Sequence, residues 1–177
     1  MDAFILPPAR MPFPFRIALW FARRRAGTEL LPARLLIWHP RAAISSGILE
    51  ALITHRQGLL TERLLKMVRM TVSFTTSCEF CIGLNSQGWE ALISEQELSA
   101  LQGRTALGEV PTLSAAEVLA IEYARLTSAT PLAIPASIGQ RLRDSFSERE
   151  IVALAATSAQ VNYWARLIQG LGCPPEG

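Results

Sequence analysis

Residues 77–86 read Ser-Cys-Glu-Phe-Cys-Ile-Gly-Leu-Asn-Ser and contain two of the three cysteines in this chain of 177 residues. Two residues separate Cys78 from Cys81, so both sulfurs can meet when the first cysteine precedes a helix and the second lies in its first turn. Backbone N–H groups at that end of a helix stabilise a thiolate and lower the thiol pKa below its usual value of about 8.5. The spacing therefore indicates a pair that alternates between a dithiol and a disulfide, in which one cysteine attacks and the other resolves.

Spacing alone leaves two other interpretations of the pair open. A zinc site needs four ligands. His39, His55 and Cys173 are available, but none of them has ligand spacing to the pair. Alternatively, the cysteines are two small buried apolar residues that never react. The odd cysteine count argues against the disulfide framework of a small secreted domain, and no secretory signal is recognisable, so we expect a cytoplasmic protein.

Helices are predicted along nearly the whole chain. Residues 71–77, Thr-Val-Ser-Phe-Thr-Thr-Ser, alternate as a strand would. We nevertheless predict a buried helix there, because small hydroxyl side chains can bond back to the preceding turn and no partner strand is apparent. The predicted helices span about 15–25, 40–58, 61–77, 81–93, 94–101, 114–126, 135–146 and 147–170. Three of them begin with a Ser-x-x-Glu capping box, at Ser94, Ser114 and Ser147. The predicted fold class is all-α, a single compact domain of seven or eight helices.

The composition indicates what the surface of the folded chain contacts. Half of its residues are hydrophobic and 18% are charged, whereas soluble domains average about 25% charged residues. This excludes an intrinsically disordered chain and leaves too few charges to cover a lone monomer. The apolar run Ile151–Ala165 is shorter than the ~18 residues of a membrane span, so we expect no integral membrane association. A net charge of +2 does not indicate nucleic-acid binding. We therefore expect the excess apolar surface to be buried against another subunit.

Residues 1–30 are predicted to form an N-terminal arm that precedes the main domain, residues 31–177. The arm interleaves basic and aromatic side chains: Arg10, Arg16, Arg23, Arg24 and Arg25 with Phe13, Phe15, Trp20 and Phe21. A segment of this kind lies on a membrane surface or docks on the protein. We favour docking on the domain or on a neighbouring subunit.

The stretch 77–86 resembles the carboxymuconolactone decarboxylase / alkyl hydroperoxidase D-like superfamily, whose members typically show Cys-x-(aromatic)-Cys-x-x-x-His after a helix that ends in a small residue. Other segments that look like the family are Trp38-His39-Pro40 at the start of an early helix, Glu122-Tyr123-Ala124 in a later helix, and residues 146–172 in the last long helix. The resemblance implies an alkyl hydroperoxidase D-like helical domain and an obligate homo-oligomer, commonly a trimer or a hexamer.

The resemblance also implies roles for individual residues. Cys81 matches the cysteine that is activated as the nucleophile in peroxidatic members, and Cys78 matches its disulfide partner. The relay histidine four residues later is replaced by Asn85, and the relay glutamate, about three helical turns before Cys78, is replaced by Lys66. An amide can hold a thiolate or a water but takes no proton near neutral pH, and a charged lysine can only stabilise a thiolate electrostatically. The candidate catalytic residues are therefore Cys78, Cys81, Asn85 and Lys66.

The expected activity is that of a thiol-dependent oxidoreductase of the peroxidase type, which reduces a hydroperoxide or exchanges a disulfide. Its reductant would be a dithiol protein or a small thiol, and we expect no cofactor and no resident metal ion. Activity should be weaker than in members that carry the full relay. The alternative is an oligomeric scaffold or binding module whose cysteine pair is degenerate or senses redox state. The family's lactone decarboxylation does not rest on such a pair, so the presence of the pair counts against it.

Overall fold

The computed structural model describes residues 3–52 and 56–175, and those residues form helices joined by loops and turns, without a β-strand. The α-helices are α1 Phe13–Ala26, α2 Leu31–Leu35, α3 Pro40–Leu52, α4 Glu62–Thr75, α5 Glu79–Ser86, α6 Glu95–Leu101, α7 Ala115–Ser128, α8 Ala136–Ser145 and α9 Glu148–Gly170. The all-α prediction is confirmed. The additional element is α2, which is too short, at five residues, to show a helical hydrophobic period.

Helix α4 occupies the centre of the domain and packs against α5, α7 and α9. Its Leu64 and Val68 belong to a core cluster shared with α7, α8 and α9. Its Met67 and Met70 belong to a second cluster, shared with α6 and the loop that follows α6. Because α4 is packed on several sides, the cysteine turn that follows it is attached to the most constrained helix of the fold.

The hydroxyl-rich end of α4 is helical, as the sequence predicts. Ser73, Thr75 and Thr76 each donate a hydroxyl hydrogen bond of 2.8 Å to the carbonyl oxygen four residues earlier. For Ser73 and Thr76, which are buried, these bonds satisfy hydroxyl groups that would otherwise be costly to bury. The strand-like alternation of residues 71–77 is therefore overridden by packing around α4.

The helix boundaries follow the local signals in most places. All three capping boxes are formed, at the starts of α6, α7 and α9, and Gly27 ends α1 in the left-handed conformation, with φ of 72°. The helix predicted for 81–93 is wrong in its second half, because α5 ends at Ser86 and Gly88 has φ of 65°. A separate 3₁₀ turn follows at Trp89–Ala91. The predicted extension of α3 beyond Leu52 falls partly on residues 53–55, which lie outside the described residues.

The N-terminal arm lies against the domain at a few points only. None of the residues of α1 is buried, from Phe13 to Ala26. Before α1, the carbonyl oxygen of Leu6 accepts a hydrogen bond of 2.8 Å from the Trp38 indole, and the Phe4 N–H donates to the Leu171 carbonyl oxygen at 3.0 Å. No helix in the described part of the chain has the length and apolar character needed to cross a membrane.

Arg63 of α4 ties this helix to α6 and α7. Its guanidinium donates to Glu97 at 2.7 Å and to Glu117 at 2.8 Å, and the Glu97 side chain is 3% exposed. The hydrogen bond from Arg63 holds the pKa of Glu97 at about 2, below its ordinary value of 4.5. The Glu97 carboxylate is therefore harder to protonate in the folded state than in the unfolded state. The stability that its bond with Arg63 contributes is present above pH 4.5 and is lost as the pH falls towards 2.

Replacing Glu97 with Gln removes one of the two carboxylates that Arg63 faces. We expect the free energy of unfolding at pH 7 to fall by about 1–3 kcal/mol, and we expect the variant to lose less additional stability than the wild type between pH 7 and pH 3.5. Urea unfolding at the two pH values measures both effects. Glu95→Gln, on the exposed first turn of α6, is the matched control. Equal acid sensitivity in the wild type and Glu97→Gln would contradict the assignment.

Candidate functional site

A tight turn between α4 and α5 positions the two cysteines. The Ser77 N–H donates to the Phe74 carbonyl oxygen at 3.1 Å, and the Cys78 N–H donates to the Ser73 carbonyl oxygen at 3.2 Å, which is the Schellman pattern of a helix C-terminus. Ser77 has φ of 50°, a left-handed conformation that glycine more often supplies. The turn ends α4 and makes Cys78 the residue that caps α5.

The two cysteine sulfurs lie at disulfide distance. The Cα atoms of Cys78 and Cys81 are 5.2 Å apart, which is within the range that a disulfide spans. The Cys81 N–H, in the first turn of α5, lies 3.3 Å from Cys78 Sγ and donates to it. The first cysteine thus precedes the helix and the second lies in its first turn, as the spacing predicts. Because an N–H group and the helix start both face Cys78 Sγ, they favour a thiolate there once the disulfide opens.

Both cysteines are buried. Cys78 is 1% exposed and Cys81 is 3% exposed, and they pack with Phe80 of α5 and with Ala165 and Ile168 of α9. Cys173, after α9, packs against the same cluster, and burial raises the pKa of its thiol. Reaction with a molecule from solution therefore requires the residues that cover the pair to move.

Asn85 lies one helical turn after Cys81 and is held by α4. Its Oδ1 accepts a hydrogen bond of 3.0 Å from Arg69 Nε, and its Nδ2 donates to Ser73 Oγ at 3.0 Å. These two bonds fix the orientation of the amide. The second N–H of the Asn85 amide is the group that can donate to a bound water or substrate oxygen.

Glu50 joins this network from α3. One carboxylate oxygen accepts from Arg69 Nη2 at 3.3 Å, and the other accepts from Gln160 Nε2 at 2.7 Å and from the Trp164 indole at 2.9 Å. Gln160 in turn accepts from Arg69 Nη1 at 3.0 Å. Glu50 was not among the residues predicted from the sequence. The one feature that distinguishes it there is that it is the sole charged residue between positions 42 and 52, in a stretch of small or apolar side chains.

Lys66 lies one turn before Arg69 on α4 and faces the end of α5. Its ammonium donates to the Gln87 carbonyl oxygen at 2.5 Å. Burial, and next the charge of Arg69, lower the pKa of the Lys66 ammonium. The α4 cation that bonds Asn85 is Arg69, whereas Lys66 reaches the beginning of the loop that follows α5. The electrostatic role expected of Lys66 towards the thiolate stays a prediction.

Of the two histidines considered as ligands, one lies at the start of α3 and the other outside the described residues. His39 Nδ1 accepts from the Ala42 N–H at 3.2 Å, at the start of α3, and His55 lies outside the described residues. Within residues 3–52 and 56–175, no three His, Cys, Asp or Glu side chains are grouped so that they could hold a metal ion.

The comparisons with known proteins agree with this architecture. No protein-family model matches the chain. In structure, the chain is similar to a peroxidase-related protein of Ralstonia eutropha described as an alkylhydroperoxidase AhpD core, with a TM-score of 0.77, 16% identity, and coverage of 99% of this chain and 92% of that one. The chain has the alkyl hydroperoxidase D-like fold. The resemblance inferred from residues 77–86 is thereby confirmed at the level of the fold.

Two other proteins are similar to this chain along almost its entire length. A cysteine-to-alanine variant of the debrominase Bmp8, in complex with 2,3,4-tribromopyrrole, matches with a TM-score of 0.82, 17% identity, and coverage of 100% of this chain and 94% of that one. The uncharacterized protein YnjA of Escherichia coli is 26% identical over 174 residues, which are 97% of this chain and 94% of YnjA.

Replacing Asn85 with Ala tests the network around the pair. We expect the free energy of unfolding to fall by about 1–3 kcal/mol, because the partly buried Arg69 guanidinium loses an acceptor. Urea unfolding at neutral pH is the measurement. The matched control is Gln140→Ala, an exposed amide that bonds Asp144 within α8, and its effect should stay within about 0.5 kcal/mol. Similar values for the two variants would show that the Asn85 contacts carry no stability.

Proposed function

We propose that this protein is a thiol-dependent oxidoreductase that reduces a hydroperoxide, or exchanges a disulfide, through Cys78 and Cys81. The observation that carries the proposal is the pair itself, at disulfide distance across the first turn of α5. The fold, which is shared with proteins described as peroxidase-related, supports it.

The reaction divides between the two cysteines. The Cys81 thiolate attacks the terminal oxygen of the hydroperoxide, the O–O bond breaks, and the products are a Cys81 sulfenic acid and an alkoxide that takes a proton from water. The Cys78 thiolate then attacks the sulfenic sulfur, which gives the disulfide and releases hydroxide, protonated to water. A dithiol protein or a small thiol supplies two electrons and returns the pair to the reduced state. In the reductive step Cys78 is a good leaving group, because the Cys81 N–H faces its sulfur.

Asn85 is assigned a positioning role in this scheme. Its free N–H can orient the hydroperoxide or a water, whereas the amide cannot move a proton near neutral pH. A histidine–glutamate relay would lower the barrier by general acid–base catalysis, typically by about 10²–10⁴-fold. We therefore expect slow turnover and a rate that depends strongly on the fraction of thiolate.

Serine variants test the two cysteine roles separately. Cys78→Ser and Cys81→Ser should each lose at least about 100-fold in turnover of an organic hydroperoxide with dithiothreitol, because the disulfide between Cys78 and Cys81 cannot form. After one exposure to hydroperoxide, Cys78→Ser should retain a sulfenic acid at Cys81, which dimedone labelling and mass spectrometry detect. Cys81→Ser should not be labelled at Cys78.

Cys173→Ser is the matched control for these variants, since it removes the third thiol and leaves the pair intact. Its turnover should stay close to that of the wild type. Wild-type rates in both single variants of the pair would refute the proposed function. Dimedone labelling of Cys78 in Cys81→Ser would show that Cys78 is the nucleophile and Cys81 the resolving cysteine.

The second candidate function is an oligomeric scaffold or binding module whose cysteine pair senses redox state. The near-complete burial of both cysteines favours it, because a peroxidase substrate must reach the sulfur. Titration of the two thiols against pH separates the candidates. Unperturbed thiol pKa values together with slow reaction with peroxide favour the sensor, whereas a thiol pKa below about 8 with rapid disulfide formation favours the enzyme.

The same proposal includes a homo-oligomer, a trimer or a hexamer, in the cytoplasm. Large apolar side chains are exposed on α1 and on α3. They are Phe13, Ile17, Trp20, Phe21, Ile44, Ile48 and Leu52. Exposed apolar side chains in this number are typical of surfaces that a partner covers, and a second copy of the chain is the partner that the low content of charged residues favours.

Light scattering after size-exclusion chromatography measures the assembly. We expect a mass of three or six chains for the wild type. The double variant Trp20→Ser/Phe21→Ser removes two side chains that are 54% and 62% exposed, so it should dissociate the oligomer without unfolding the domain. Leu132→Ser, which removes an equally exposed side chain in the loop before α8, is the control. A monodisperse wild-type monomer would contradict the proposal.

A further inference from the structure

A cavity of about 510 Å³ lies between α4, the loop that follows α5 and the last turn of α1. One face of α4 lines it, because residues 62, 65, 66 and 69 recur at helical spacing. Gln87 and Gly88 line it on the side of α5, and Arg25 lines it on the side of α1. The volume falls within the range of small-molecule sites, about 300–1,000 Å³.

The lining of this cationic cavity carries an excess of positive charge. Its charged side chains are four cations, Arg25, Arg56, Lys66 and Arg69, and one carboxylate, Glu62. Glu62 pairs with Arg56 at 2.9 Å, and Arg69 pairs with Glu50, which lies outside the lining, at 3.3 Å. Among the described residues, the four cations outnumber the carboxylates of Glu62 and Glu50 by two, and Glu90, outside the lining, also acts on Lys66.

Lys66 has no carboxylate as its hydrogen-bond partner in the cavity. Its ammonium donates to the neutral Gln87 carbonyl oxygen, at 2.5 Å. Burial, and next the charge of Arg69, lower the pKa of Lys66, and the charges of Glu62 and Glu90 oppose this only in part. A negatively charged group beside the ammonium would offset both effects, because attraction favours the charged form.

Apolar side chains complete the cavity next to these cations. Leu65, Ala91 and Leu92 line it, so a fully hydrated inorganic ion would leave this part of the surface uncovered. A molecule with one anionic end and an apolar body matches both kinds of lining. Arginine is suited to a carboxylate because its guanidinium presents paired N–H groups in the geometry of the two oxygens.

We propose that the cationic cavity binds a small organic carboxylate, with its anionic group at Lys66 and Arg25 and its apolar body along Leu65 and Leu92. Arg69 lines the cavity and also donates to Asn85, one turn after Cys81, so the cavity adjoins the thiol site. The substrate of the thiol pair is then a hydroperoxide or disulfide that bears a carboxylate. This assignment of the substrate rests on the proposed function, whereas the binding of the carboxylate does not.

The binding test uses the double variant Cys78→Ser/Cys81→Ser, in which no redox step occurs. Isothermal titration calorimetry compares octanoate with its neutral counterpart, 1-octanol. We expect one octanoate per chain and an affinity at least tenfold higher than that of octanol. Lys66→Met in the same background should weaken octanoate binding at least fivefold. Arg25→Gln, at the exposed end of α1, should weaken it as well and replaces Lys66→Met if that variant is unfolded.

The control is Arg143→Gln on α8, which removes an arginine that contacts Gln140 away from the cavity, and its octanoate affinity should equal that of the parent. Equal affinities for octanoate and octanol, or an octanoate affinity that neither Lys66→Met nor Arg25→Gln changes, would overturn the proposal.

Lys66 offers a second readout, because it is the only lysine of the chain. An amine reagent followed by peptide mass spectrometry measures its labelling separately from that of the N-terminal amine. Saturating octanoate should slow the labelling of Lys66 at least threefold and leave that of the N-terminus unchanged. Labelling of Lys66 at the same rate with and without octanoate would contradict binding in this cavity.

Turnover by the wild-type protein separates this proposal from the proposed function. A hydroperoxide that bears a carboxylate should have a KM at least fivefold below that of a neutral hydroperoxide of the same length, and Lys66→Met should remove the difference. Octanoate binding without any turnover would refute the proposed function and the substrate assignment alone. Turnover without a preference for the carboxylate would refute the substrate assignment and leave the redox function standing.

Discussion

The geometry of the site depends on the hydrogen bonds that the Arg69 guanidinium makes. Its side chain is 17% exposed, and it bonds Glu50 of α3, Asn85 of α5 and Gln160 of α9. A largely buried charge costs several kcal/mol unless it is paired and fully hydrogen-bonded. Three helices must therefore keep their positions around α4 for this one group to be satisfied, and the cysteine pair lies on the shortest of those three helices.

The parts of the fold that could be predicted from the sequence are those set by neighbouring residues. The starts of α6, α7 and α9 follow from Ser94, Ser114 and Ser147, because each serine and the glutamate three residues later satisfy each other's backbone groups. The cysteine spacing likewise predicts a pair across the start of α5, since both positions belong to one helical turn.

The contacts that could not be predicted are those between distant helices. Glu50 and Arg69 are 19 residues apart on different helices, and neither position carries a local signal for the other. Counting helical turns back from Cys78 leads to Lys66, which occupies the position of the relay glutamate in the family that the sequence resembles. The contact with Asn85 is made one turn later, by Arg69, because the reach and direction of the side chain decide which residue of a helix face meets its neighbour. The early end of α5 was also missed, since the left-handed Gly88 follows residues that are compatible with a helix.

The segment around Phe4 meets the segment that follows α9 beside the cysteine cluster. The Phe4 N–H bonds the Leu171 carbonyl oxygen at 3.0 Å, and a Cβ atom at Gly172 would lie 2.6 Å from the Phe4 ring, so the two segments fit each other closely. Cys173 follows at once and packs on the cluster that buries the pair. A side chain at position 172 would displace the Phe4 ring, so the packing of the segment around Phe4 is coupled through residues 171–173 to the cluster that buries the two cysteines.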